Sequence, residues 1–224
     1  MTWYYEMSYA AFVILIMEIT GTIAFAASGA MLAIKKGMDV FGVCVLGVVT
    51  AVGGGMLRDV VLGKVPSALL DPVYTGTAAV TSLLLFLLVY RRQSLFHGKG
   101  QNIYEIFLFW MDAIGLGIFT VVGVSAGYAA GYGGKTFLLV FLGTITGVGG
   151  GLLRDMMAQE APYILVKHIY ACASILGAVV YVLTYRSFGE LPALIVSPAV
   201  VVLIRWLAAH YGWNLPRIRR TDQF

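Results

Sequence analysis

The chain reads as an all-α integral membrane protein: seven transmembrane helices, built as an inverted three-plus-three repeat with one helix left over. Three observations predict this. Hydrophobic residues make up 60% of the 224 positions and charged residues 12%, and the mean hydropathy of +0.88 lies far outside the range of soluble domains. Seven apolar stretches are long enough to cross, or nearly cross, a bilayer, which takes roughly 20 helical residues. Finally, Val-Gly-Gly-Gly-Met-Leu-Arg-Asp at Val52–Asp59 returns as Val-Gly-Gly-Gly-Leu-Leu-Arg-Asp at Val148–Asp155, with Pro66 and Pro162 following at the same distance.

In chain order the stretches lie near Ala10–Ile34, Phe41–Leu62, Leu70–Tyr90, Ile103–Tyr128, Thr136–Ala158, Ile164–Tyr185 and Leu191–Ala208. Their apolar character runs all round and their length is helical, which argues against a transmembrane β-barrel. No basic residue precedes Lys35, so the first stretch lacks the charged region of a cleaved signal and is expected to be retained. Residues 1–224 thus form a single membrane domain. Its first three-helix repeat is 10–90, its second 103–185, its seventh helix 191–208 and its basic tail 209–224.

The repeat extends beyond the glycines. Glu18, Gly21 and Phe25 match Asp112, Gly115 and Phe119 at an offset of 94, and Phe41, Gly47, Thr50 and Gly53 match Phe137, Gly143, Thr146 and Gly149 at an offset of 96. Three spans per copy is an odd number, so the second copy enters the membrane from the opposite side. This implies a pseudo-two-fold axis in the membrane plane. The seventh stretch, with Pro192 and Pro198, has no counterpart and is expected to serve packing or assembly.

Loop charges set the orientation. Lys35, Lys36, Arg91, Arg92, Lys99, Lys167, Arg217, Arg219 and Arg220 fall on one side, and Lys64, Lys135 and Arg186 on the other. The positive-inside rule puts the N-terminus outside and the C-terminus in the cytoplasm. The basic tail is a topology determinant that touches anionic lipid, not a nucleic-acid site. Cys44 and Cys172 fall inside apolar spans and read as small core residues.

Three consecutive glycines favour a helix break, since each costs about 1 kcal/mol relative to alanine. Gly53 and Gly149 each fall about 18–20 Å into their spans at 1.5 Å per residue, near the midplane. Breaks at Gly53, Gly54 and Gly55 and at Gly149, Gly150 and Gly151 are therefore expected to face each other. Unwound carbonyls at Thr50–Val52 and Thr146–Val148 would suit a cation, held transiently with no structural metal, and the helix starts after Gly55 and Gly151 would suit an anion. The competing reading of such glycines is close helix packing.

Arg58, Asp59, Arg154 and Asp155 lie within spans, where ionisable residues face a cavity or a partner. Neighbours on a helix diverge, so pairing within each Arg-Asp is not expected. Depth predicts Glu18–Arg58 and Asp112–Arg154 instead, as locks between helices or as gates. Thr50, Thr146, Ser28 and Ser125 add hydroxyls near this region, and Phe25 and Phe119 are candidate plugs. There is no nucleotide-binding loop, no metal-spaced His or Cys cluster and no nucleophile–base pair, and His97, His168 and His210 sit at edges or loops. Nothing argues for an enzyme or calls for a cofactor.

With its doubled Gly-Gly-Gly-x-Leu-Arg-Asp motif in a seven-span inverted repeat, the chain from about Ala10 to Ala208 resembles the prokaryotic TRIC (trimeric intracellular cation) channels, also known as a glycine-transporter-domain family. The resemblance implies a homotrimer with a pore in each protomer, lined by the first, second, fourth and fifth spans. It implies potassium conduction with sodium permeation, kinks at the two glycine triplets and a prokaryotic plasma membrane. Animal members carry Lys-Glu-Val-x-Arg-x-x-Lys in the second repeat, whose basic residues hold a phosphoinositide. Here the segment is Arg154-Asp155-Met156-Met157-Ala158-Gln159-Glu160-Ala161, without the second and third basic residues, so that lipid site does not carry over. The alternative function is a secondary or facilitated transporter of a small zwitterion such as glycine. In that case a half-helix N-terminus would hold the carboxylate, and Glu18 or Asp112 the ammonium.

Overall fold

The computed structural model describes residues 9–91, 100–166 and 169–213, and among them all regular structure is helical. Among these residues nine helices follow in order: α1 Tyr9–Lys35, α2 Val40–Val61, α3 Ser67–Leu70, α4 Pro72–Arg91, α5 Gly100–Ala129, α6 Thr136–Met157, α7 Tyr163–Val166, α8 Tyr170–Phe188 and α9 Glu190–His210. Seven of them (all but α3 and α7) are long and apolar enough to span a membrane. Arg92, Lys99, Lys167, Arg217, Arg219 and Arg220 lie outside the described residues, as do His97, His168 and most of the tail.

The repeat is visible element by element. α2 and α6 start and stop 96 residues apart, and so do the short helices α3 and α7. The sequence places the third and sixth spans as single stretches from Leu70 and Ile164. The structure instead begins the long helices at Pro72 and Tyr170 and gives each a separate short helix first. The cause is a carboxylate. The side chain of Asp59 accepts the Ser67 backbone N–H at 2.8 Å, and Asp155 accepts that of Tyr163 at 2.8 Å. Each aspartate thereby caps the start of the short helix that follows its own.

Both long central helices close on the same hydrogen-bonded turn. Gly63 donates to the Val60 carbonyl and Lys64 to that of Asp59, and Gln159 and Glu160 repeat this onto Met156 and Asp155. This Schellman turn needs a left-handed residue at its corner. Gly63 supplies it at φ 69°, whereas Gln159 is forced to φ 54°.

The glycine triplets do not break their helices. α2 is helical without interruption from Val40 to Val61 and α6 from Thr136 to Met157, and none of the six glycines adopts a positive φ. Interrupting a helix in lipid frees backbone groups at several kcal/mol each, which outweighs about 1 kcal/mol per glycine. The glycines instead let two helices cross. A Cβ on Gly54 would overlap the Thr146 carbonyl oxygen, and one on Gly150 the Thr50 carbonyl oxygen, both far inside 3.0 Å. A side chain on Gly53 would meet Leu153, and one on Gly149 would meet Leu57 and the Gly54 backbone. The Cα–H bonds of Gly54 and Gly150 point at those carbonyls, the geometry of the weak hydrogen bonds of close helix pairs.

α1 and α5 cross in the same reciprocal way. The Phe25 ring fills the space beside Gly115 and the Phe119 ring that beside Gly21, with the two rings 5.2 Å apart between centroids. The four helices α1, α2, α5 and α6 therefore form the centre. α4 packs on α1 and α2, while α8 and α9 pack on one another and on α5. Seven crossings leave α1 starting on one face, here the N-terminal face, and α9 ending on the opposite, C-terminal face.

Candidate functional site

Two groups of polar residues lie in the centre, one toward each face, related by the pseudo-two-fold. Toward the N-terminal face a cavity of about 40 Å³ is lined by Glu18, Thr22, Gly55, Arg58, Tyr74, Phe119 and Thr146 among others. At roughly 10–15 Å³ per water it accommodates about three waters. Glu18, half-buried, accepts a hydrogen bond from the Tyr74 hydroxyl at 2.6 Å. Arg58 does not reach it. Its Nε and Nη2 lie 2.8 and 2.7 Å from Oδ1 of its own neighbour, Asp59, whose Oδ2 accepts from Ser67. The expected Glu18–Arg58 pair is therefore absent, and the Arg-Asp dipeptide pairs within itself. An arginine stem is long enough to fold back along the helix, so divergence at the Cβ atoms does not prevent the contact.

The group toward the C-terminal face has the same parts but is sealed. Asp112 is fully buried, and its Oδ1 accepts from Arg154 at 2.8 Å and from the Tyr170 hydroxyl at 3.3 Å. The expected Asp112–Arg154 pair is thus present. Arg154, 1% exposed, also holds Asp155 through Nε and Nη2 at 2.8 Å and donates to the Ser28 hydroxyl. On the outer side, Lys36 pairs with Glu160 at 2.9 Å.

Ser28 has Val122 as its counterpart in the second repeat, and Val122 lines the open cavity. Arg154 thus has a hydroxyl partner on α1 that Arg58 lacks on α5.

The remaining predicted residues fall as follows. Thr50 and Thr146 donate to the Leu46 and Leu142 carbonyls, one turn back, at 2.6 Å. Only Thr146 borders the cavity, and Ser125 is buried away from it. The carbonyls of 50–52 and 146–148 are not unwound, because they belong to the unbroken helices, and those of Thr50 and Thr146 press on the opposite glycines. The ion site expected from free carbonyls there is therefore not formed. By the same continuity, Gly55 and Gly151 do not precede new helix N-termini.

Sequence reasoning missed three participants. Tyr74 and Tyr170 are 96 residues apart, the repeat offset, and that equivalence was the signal available for both. Arg205 of α9, 5% exposed, reaches Oδ2 of Asp112 at 3.0 Å. A lone arginine inside the seventh span was itself the sign.

Comparison with known proteins gives a consistent answer. The family model described as "Glycine transporter" matches twice, over residues 15–90 and 109–186. The inner membrane protein YadS (UPF0126) of Escherichia coli is 42% identical over 204 residues, covering 89% of this chain and 93% of that one. A structure that presents the basis for conductance through TRIC cation channels superposes with a TM-score of 0.79 at 39% identity, over 93% of this chain and 98% of that one. The TRIC channel of Rhodobacter sphaeroides does so with a TM-score of 0.80 at 30% identity, over 90% and 99%. The two matches of the family model fall on the two three-helix repeats, and the TRIC structures cover 90% or more of the chain. With its repeats, its spans and its helical packing all shared, this chain belongs to the TRIC/UPF0126 family of multi-pass membrane proteins.

Proposed function

We propose that this protein is a passive monovalent-cation channel, conducting potassium and also sodium, with one pore in each protomer of a homotrimer. It sits in the prokaryotic inner (plasma) membrane with its N-terminus outside and its C-terminus in the cytoplasm. The observation that carries this reading is the cavity at Glu18, which abuts the crossing of α2 and α6. Its lining includes Glu18 and Arg58, and Arg58 is already paired with Asp59, so the three side chains together carry a net charge of −1 and attract cations. The solved structures that this chain resembles are described as cation channels. Conduction requires the sealed group at Asp112 to open, which makes that group the gate of the resting state.

The family model's description supports a second reading, facilitated transport of glycine or a similar zwitterion, with Glu18 as the partner of the ammonium. Planar-bilayer recording of the purified protein under a potassium chloride gradient separates the two. Discrete openings that reverse near the potassium equilibrium potential are expected. Silence from folded protein, with glycine uptake into proteoliposomes, would replace the channel with the transporter.

A further inference from the structure

Because the two polar groups are built from one template, their differences isolate what is particular to each. Each has a carboxylate from the first helix of its repeat (Glu18, Asp112), an Arg-Asp dipeptide and a tyrosine from the third long helix (Tyr74, Tyr170). On those parts alone, both mouths carry a net charge of −1. The second has one further charged member, Arg205, which comes from α9 and so from outside the repeat. It brings the Asp112 group to zero.

The placement of Arg205 is specific. Its Nη2 donates to Oδ2 of Asp112 at 3.0 Å, the oxygen that Arg154 and Tyr170 leave free. Its guanidinium carbon lies 5.2 Å from the centroid of the Phe109 ring and 4.8 Å from that of Tyr170, within cation–π range of both. Its Nε is buried without a hydrogen-bond partner. The guanidinium is thus held by one carboxylate oxygen and two ring faces, not by a closed hydrogen-bond network.

We propose that Arg205 is a tethered cation: it occupies at Asp112 the place that a permeant cation takes at Glu18, and its withdrawal opens the second mouth. This rests on the cation-channel reading given above. Potassium then competes with Arg205 for Asp112, and α9, the helix outside the repeat, becomes the element whose movement sets the gate.

The test uses the purified full-length protein and a readout that does not depend on conduction. Thermal unfolding is followed in potassium chloride and in choline chloride at equal ionic strength, for the wild type, R205Q, R205K and the double variant R205Q/D112N. In R205Q, potassium is expected to raise Tm by more than in the wild type, because the ion binds where the guanidinium was. R205K restores the wild-type response, and R205Q/D112N loses the added stabilisation. In bilayers, R205Q shows a several-fold higher open probability. If R205Q does not fold, R205M, apolar and of similar reach, takes its place. A drop in Tm that is the same in both salts, with unchanged gating, would mean that Arg205 only packs, and would overturn the proposal. Potassium stabilisation of R205Q in a protein that never conducts would instead keep the site and reject the channel.

Discussion

Glu18 and Asp112 occupy equivalent positions and differ by one methylene, yet one faces a cavity and the other has no exposed surface. Their neighbours explain it. Asp112 is bound by two arginines and a tyrosine, while Glu18 meets a tyrosine alone among the described residues. In the proposed channel, Glu18 is thus the carboxylate that concentrates cations. Glu18→Gln is expected to lower single-channel conductance by about threefold to tenfold at low salt. The loss should shrink as salt rises past about 0.1 M, where the Debye length falls to about 10 Å. A conductance unchanged at every salt concentration would reject this role. The two arginines should also behave differently. Arg154→Ala removes the arginine of Asp155 and one of the two arginines of Asp112, both carboxylates buried, and is expected to cost about 3–5 kcal/mol. Arg58→Ala leaves one carboxylate, Asp59, which keeps its two hydrogen bonds from Ser67, and should cost less. Chemical unfolding in detergent compares the two, and recordings of both variants should show altered open probability with little change in selectivity.

Among the elements, α2 and α6 carry the most constrained contact. Gly54 and Gly150 each face a backbone carbonyl, not a side chain that could turn aside. Gly54→Ala or Gly150→Ala is expected to destabilise by at least about 1–3 kcal/mol, the usual scale for overpacking, because backbone must move. Gly55→Ala, whose added carbon meets only a distant Arg58 nitrogen at 3.9 Å, should be well tolerated. Equal losses at Gly54 and Gly55 would contradict the crossing. The helix ends offer a second comparison. Gly63→Ala places a side chain in the left-handed region and should cost about 1 kcal/mol, whereas Gln159→Gly relieves that conformation and should stabilise by about 0.5–1 kcal/mol. Thermal unfolding of the two variants measures both signs.

At the scale of the whole molecule, the inverted repeat supplies two polar groups and α9 makes them unequal. Outward faces of α4 and α9, with Val80, Leu84, Leu88, Ile195 and Leu203 exposed, meet lipid or neighbouring subunits. Light scattering of the detergent-solubilised protein, corrected for bound detergent, is expected to give three copies of the 24.2 kDa chain. A monomer or dimer that still conducts would confine the pore to the protomer and remove the trimer.

The spans, the inverted repeat and the Asp112–Arg154 pair were legible in the chain itself. Hydropathy over some 20 residues and recurrence at offsets of 94 and 96 are properties of the sequence that tertiary context does not alter. The state of the glycine triplets was not. Glycine permits both a break and a close crossing, and only the facing Thr50 and Thr146 carbonyls select the crossing. The partners of Arg58 and Arg205 were decided by tertiary structure for a related reason. A long, flexible side chain can reach its own neighbour or a distant helix, and which carboxylate it meets depends on where seven packed helices leave room.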